Sequence, residues 1–285
     1  SFQNDQYSSG NETIGRILSI TQDSSAGVWI GGDKGLFFFY HDSISRIEIQ
    51  NKSPLAIESL LTDAAGNLWI GELHALYKIS REQIEHIKEN ILLPLSAEPY
   101  CGLKERAYGL AMDRLHNVYM ASHGGIYLFP EARNDYRLIW KNPDVNNFVR
   151  SVCAINPDSV FWNHDDGHPT QLIKEKLTVF FDRNSTGSFV FTHRNKPYAV
   201  TTRDIARLEN GIKPVVSFSS LTNHAQAALI DAEENMWIGT WEGLQKFRKN
   251  AFQVYRLRQE EHGEIFSFLE KNNGEILFPL FLISN

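Results

Sequence analysis

Asp23-Ser-Ser-Ala-Gly27-Val-Trp29-Ile30-Gly31 returns as Asp63-Ala-Ala-Gly66-Asn-Leu-Trp69-Ile70-Gly71 and again as Asp231-Ala-Glu-Glu-Asn-Met-Trp237-Ile238-Gly239. In each copy an aromatic stands six residues after the aspartate, and an aliphatic (Leu36, Leu76, Leu244) seven after the aromatic. The same spacing picks out Asp113, Tyr119 and Ile126, then Thr192, Tyr198 and Ile205, then Lys271, Leu277 and Ser284. Asn156 and Trp162 keep the six but reach an aliphatic, Leu172, only after ten, which predicts a loop lengthened by three residues. The anchors Trp29, Trp69, Tyr119, Trp162, Tyr198, Trp237 and Leu277 lie 40, 50, 43, 36, 39 and 40 residues apart. A fixed period of this size marks a repeat architecture.

Within one unit the signals are those of strands. Arg16-Ile17-Leu18-Ser19-Ile20 and Val28-Trp29-Ile30 are short runs of β-formers around a turn, and a second turn leads to Leu36-Phe37-Phe38-Phe39-Tyr40. Ser45-Arg46-Ile47-Glu48-Ile49 then alternates as a half-exposed outer strand does. Helical periodicity occurs only around Arg81 to Asn90. A lone four-stranded sheet cannot bury both faces, whereas sheets packed around an axis can. The expectation is an all-β chain, residues 1–285 forming one β-propeller of about seven four-stranded blades. Gly274-Glu275-Ile276-Leu277-Phe278 opens a last blade that is either incomplete or closed by the N-terminal segment.

The run from Ile17-x-x-Ile20-x-x-Asp23 through Gly27-Val-Trp-Ile-Gly31 to Gly35-Leu36, with Ile238-Gly239-Thr240-x-x-Gly243-Leu244, resembles the two-component regulator propeller repeat. The resemblance implies the periplasmic or extracellular sensing region of a bacterial inner-membrane receptor, often a hybrid histidine kinase. It also implies an oligosaccharide or similar nutrient as ligand and cytoplasmic output domains outside this sequence. Membrane attachment is then expected through segments not present here, and pairing of two copies through the sensing region is an open expectation.

Composition narrows the classes. Hydrophobic residues make up 42% and charged residues 22%, enough to bury a core. A net charge of -6 repels nucleic acid and anionic lipid. Ser1 to Gly10 lacks the basic start and apolar run of a secretion signal, and the apolar tail from Ile276 to Ile283 is far shorter than the ~20 residues of a membrane helix. Cys101 and Cys153 make no disulfide framework, and whether they pair is left open.

In a meandering propeller the loops joining second to third strands, and fourth strands to the next blade, emerge on one face. Read along the second-to-third loops, the candidate ligand contacts are His74, His123, His164, Asp165, Arg203, Trp241 and Glu242. Aromatic and planar polar side chains of this kind suit sugar rings and hydroxyls. His164-Asp165-Asp166-Gly167-His168 carries metal-ligating types, yet a turn gives no helix to hold two histidines together, so no metal and no cofactor is expected. Asp165, Asp166, Glu242 and Glu264 could supply the carboxylates of a glycan hydrolase or lyase, but nothing fixes two at catalytic separation, and no nucleophile-elbow or zinc-protease motif occurs. A sensor without catalysis is the leading reading, with a propeller enzyme or a passive protein-interaction scaffold as alternatives.

Overall fold

The computed structural model describes residues 14–49, 56–89, 94–144, 146–164, 167, 169–179, 187–202, 204–209, 211–217, 225–240, 243–248, 251–254, 262–264, 267–271, 274–277 and 281–283. Its first sheet is the strand series Ile17–Gln22, Val28–Gly32, Gly35–Tyr40 and Ser43–Ile47, each antiparallel to the next. A three-stranded sheet follows over residues 57–79, and sheets with the same four-stranded meander over 109–141, 149–179, 187–217 and 225–254; in chain order these are blades 1 (17–47), 2 (57–79), 3 (109–141), 4 (149–179), 5 (187–217) and 6 (225–254). The first strand of each sheet touches the first strand of the next, so these strands line the axis of a β-propeller. There are thus six blades of three or four strands among the described residues, not about seven of four. In the last stretch, His262–Glu264 pairs with Phe281–Ile283 and Leu269–Glu270 with Ile276–Leu277, and no four-stranded sheet forms there among the described residues.

The aspartate of the repeat earns its place through its turn. Asp63 Oδ1 accepts from the N–H groups of Ala65 and Asn67, and Asp63 Oδ2 accepts from the Trp69 indole at 2.9 Å. Asp231 does the same for Glu233, Asn235 and Trp237, and Asp113 for Leu115, Asn117 and the Tyr119 hydroxyl. The six-residue spacing is therefore a hydrogen bond between a turn and the aromatic buried behind it. The third residue after the aspartate is left-handed in every copy (Ala26, Gly66, His116, Glu234), so the turn tolerates a non-glycine there. Gly27 serves differently: a Cβ on it would lie 2.4 Å from the Phe38 ring.

Blade 4 shows why its own spacing differs. With Asn156 in place of the aspartate, the Trp162 indole donates to His164 Nε2 at 3.1 Å instead. Its loop is not lengthened. Trp162 pairs with Thr170, eight residues on, whereas Trp29 pairs with Phe38 and Trp237 with Lys246, nine on. Leu172 faces Val160, two residues before Trp162, whereas Leu36, Leu76 and Leu244 face the residue two after their tryptophans, so it belongs four positions further along the strand than the other aliphatic markers.

Blade 2 departs most. After Ile79 the chain forms the helix Arg81–Glu89, where an outer strand was expected. Ser80 and Gln83 close a capping box: Gln83 N–H donates to Ser80 Oγ, and Ser80 N–H to Gln83 Oε1. Ile84 and Ile87 are buried against the core shared with blade 1. This insertion accounts for the 50-residue spacing from Trp69 to Tyr119. Lys88 of the same helix reaches Asp23 Oδ2 at 3.1 Å, and the Trp29 indole N–H is left buried without a hydrogen-bond partner.

The core lies between blades. Trp29 and Phe38 of blade 1 pack with Ile57 and Ile70 of blade 2, Trp69 with Met120 and Phe129 of blade 3, and Tyr119 with Val152 and Trp162 of blade 4. Phe268 and Ile276 pack on Trp237 of blade 6, while Leu269 and Leu277 pack on Val28 and Phe37 of blade 1. Serine clips add to this. Ser19 Oγ accepts from Leu60 N–H of the next blade, Ser151 Oγ from Val190 N–H, and Ser267 Oγ from Ile20 N–H, closing the ring onto blade 1. Cys101 is exposed between blades 2 and 3, Cys153 is buried in blade 4, and both are free thiols.

Candidate functional site

The first strands of blades 1, 2, 4, 5 and 6 begin with an irregularity of register, and that of blade 3 pairs regularly. One extra residue is inserted between Ile57 and Ser59, and one between Val149 and Ser151. Such bulges re-aim a side chain and gather near functional sites. The inserted residues are Glu58 in blade 2 and Arg150 in blade 4. In blade 3 Tyr108 holds the matching place, its N–H donating to Ala121 O beside the Gly109–Ala121 pair.

These three positions assemble one cluster. Tyr108 stacks on Phe148 with ring centroids 4.6 Å apart and planes inclined by 19°. The Arg106 guanidinium lies 4.5 Å over Tyr108 and the Arg150 guanidinium 5.1 Å over Phe148, so each ring of the pair carries a cation. Arg106 also forms an ion pair with Glu58 at 2.6 Å. His123, on the loop between the second and third strands of blade 3, shares a hydrogen bond between its Nε2 and the Tyr108 hydroxyl and stands edge-on to Phe148. Burial raises the Tyr108 phenol above its ordinary range, with Arg106 opposing, so it stays a neutral hydroxyl at neutral pH.

The six residues therefore run from blade 2 through blade 3 to blade 4 over the starts of the axial strands. Glu58, Arg106, Tyr108, His123 and Phe148 are half-buried and Arg150 is exposed. That partial exposure is what a binding surface needs, as opposed to a core.

Of the expected residues that the structure describes, His123 joins this cluster and His74 and His164 do not. His74 is exposed, its backbone N–H held by the buried Glu72 carboxylate. His164 is drawn into blade 4, bonded to Trp162 and packed edge-on against Trp140. Asp165, Arg203, Trp241 and Glu242 lie outside the described residues. Glu58, Arg106, Tyr108, Phe148 and Arg150 were missed because candidates were drawn from the second-to-third loops and not from the chain entering each first strand. A signal was present: Glu58 and Tyr108 each stand eleven residues before their anchors. Among the described residues no three His, Cys, Asp or Glu side chains gather as metal ligands.

No protein-family model and no curated protein matches the sequence. Solved structures do. The extracellular domain of the putative hybrid two component system BT4673 from B. thetaiotaomicron is similar over 96% of this chain at a TM-score of 0.72 and 15% identity. That of BT3049 from the same organism is similar over 96% at 0.73 and 17%. This chain spans 38% and 39% of those two domains. Virginiamycin B lyase from Staphylococcus aureus, in a catalytically inactive histidine-to-alanine form with quinupristin, is similar over 96% of this chain and 95% of its own at 0.73 and 13%. At these identities the likeness establishes the propeller fold, shared by extracellular sensor domains and by lyases. No helix among the described residues is long and apolar enough to cross a membrane.

Proposed function

We propose that this propeller is the extracytoplasmic ligand-sensing part of a bacterial two-component receptor, binding an oligosaccharide or similar nutrient and not transforming it. The ligand lies at the mouth formed by blades 2 to 4, and its binding is passed to output domains outside this chain. The observation that carries the reading is the Arg106–Tyr108–Phe148–Arg150 stack, which combines aromatic surface, guanidinium donors and a histidine–tyrosine pair on the loop face of a rigid scaffold. The likeness to extracellular domains of hybrid two-component systems supports it, as does the repeat resemblance. A periplasmic location and a histidine-kinase output follow from that resemblance. For signalling, the ligand must favour one of two receptor states.

The test is thermal unfolding against a panel of plant, host and microbial oligosaccharides, with the sugar recovered and analysed afterwards. A concentration-dependent rise in Tm for one sugar class, abolished in Tyr108→Ala and leaving the sugar unchanged, is the expected result. Cleavage of the bound sugar would move the assignment to the lyase or hydrolase class. No rise with any sugar would overturn the sensing of carbohydrate by this face.

A further inference from the structure

We propose that the ligand of this mouth carries a carboxylate, as a uronic-acid-containing oligosaccharide does, and that Glu58 occupies the place of that carboxylate in the free protein. The inference rests on the sensing role proposed above and names the chemistry recognised there.

Three observations point to it. First, a guanidinium stacked on a ring uses its face and keeps its N–H edge for in-plane acceptors, the geometry that suits a carboxylate. Here two guanidinium groups, Arg106 and Arg150, lie over the two rings of one stacked pair. Second, Arg106 is already engaged by a carboxylate, that of Glu58 at 2.6 Å, while its Nε is buried without a hydrogen-bond partner. The site therefore accepts a carboxylate but leaves one of its donors unused, and an unused buried donor is a cost that a better-placed acceptor removes. Third, the pair is not part of the core. The Arg106 side chain is 33% exposed and that of Glu58 15%, so water and a solute reach it, and an exchange of one carboxylate for another needs no unfolding. Glu58 occupies the bulge of blade 2 and Arg106 the connection into blade 3, so release of Glu58 loosens a tie between two blades.

The chemistry also explains a charge pattern. On a chain of net charge -6, a polyanion gains nothing from the overall field. Two arginines over aromatic faces give local selectivity for a small acid without general attraction to nucleic acid or anionic lipid.

The test uses the whole chain and trigalacturonic acid, its methyl ester and a sulfated carrageenan tetrasaccharide, which carries sulfate but no carboxylate, with binding followed by calorimetry. The acid is expected to bind and the methyl ester to bind about tenfold more weakly or worse, since charge-assisted hydrogen bonds to guanidinium are lost. Arg106→Ala and Arg150→Ala should each lose about tenfold for the acid, and Glu58→Gln should gain several-fold by removing the competing carboxylate. Unchanged circular dichroism and Tm in Arg150→Ala, whose side chain is exposed, guards against a folding artefact. Equal binding of acid and ester, lost in Tyr108→Ala, would overturn the carboxylate assignment and leave the sensing site standing. Preference for the sulfated probe, or no acid binding together with no change in Glu58→Gln, would also overturn it. Silence toward these probes and toward the neutral panel alike would sink the sensing role itself.

Discussion

Trp29, Trp69 and Trp237 hold the same position in three blades and are at most 5% exposed, yet they differ in one bond. Trp69 and Trp237 donate their indole N–H to Asp63 and Asp231 at 2.9 and 2.8 Å, whereas the Trp29 N–H is buried and unpaired, and Asp23 Oδ2 instead has Lys88 as an ion-pair partner at 3.1 Å. Replacing each tryptophan by phenylalanine removes the same indole volume and leaves similar cavities, so the packing loss is shared. What differs is polar. Trp237→Phe gives up a hydrogen bond to a buried carboxylate, roughly 1.5–3 kcal/mol, while Trp29→Phe removes a buried donor whose missing partner costs about 1–3 kcal/mol. Asp231 keeps three other donors, from Glu233, from the Asn235 backbone and from its side chain, which argues for the lower end of the first range.

Together these effects separate Trp29→Phe from Trp237→Phe by about 3 kcal/mol, Trp29→Phe being the milder. For a chain of this size each kcal/mol moves Tm by roughly 2 °C, so the gap is about 6 °C. Scanning calorimetry of the three single variants at neutral pH measures it, and Trp69→Phe should fall with Trp237→Phe. If Trp29→Phe proves as destabilising as the other two, the account of the aspartate–aromatic spacing as a hydrogen bond is wrong.

Other consequences are open to direct measurement. Lys88→Ala leaves the Asp23 carboxylate, whose side chain is 2% exposed, without its cation; a loss of roughly 3–5 kcal/mol is expected, and the Asp23→Ala/Lys88→Ala double variant should cost less than the two singles added together. Under native conditions a thiol reagent should label Cys101, which is exposed, and leave Cys153, which is fully covered and whose thiol burial pushes well above the ordinary range; labelling of both before unfolding would contradict the placement of Cys153 in the blade 4 core. Burial, with Glu105 adding to it, raises the Tyr127 phenol from 10.0 to about 12, and burial does the same for Tyr100. Because the folded protein holds these protons more tightly than the unfolded chain, their stabilisation is complete below pH 10 and drains away as pH rises toward 12. Phenolate absorbance during an alkaline titration should therefore lag in the native protein and appear together with loss of structure.

How far the sequence carries the fold depends on what each signal encodes. The anchors were legible because burying a large aromatic between blades is a demand every blade repeats, and the aspartate because its turn and its aromatic are bonded to each other. The aliphatic marker was legible only while the register held. In blade 4 Leu172 matched in type but sat opposite Val160, and a spacing rule has no means of seeing a one-residue change in pairing. The helix at Arg81–Glu89 showed in its periodicity, but its replacement of an outer strand depends on Ile84 and Ile87 finding the blade 1 core, a tertiary fact. The count of blades went too high because Leu277 fits the repeat locally while only short pairs form around it among the described residues.

The site was less legible than the fold, for a reason rooted in the repeat itself. Positions that recur from blade to blade point into interfaces: Ser19, Ser59 and Ser151 follow directly on the bulges of their strands, and each reaches the neighbouring blade. The residue just before each of those serines obeys no rule. It is Leu18 in blade 1, Glu58 in blade 2 and Arg150 in blade 4, with Tyr108 in the equivalent place of blade 3. A repeat search is drawn to sameness and passes over such a slot. Yet in three consecutive blades this position holds an acid, an aromatic and a base within one contact network. The candidate cluster of this propeller accordingly lies where the repeat stops repeating.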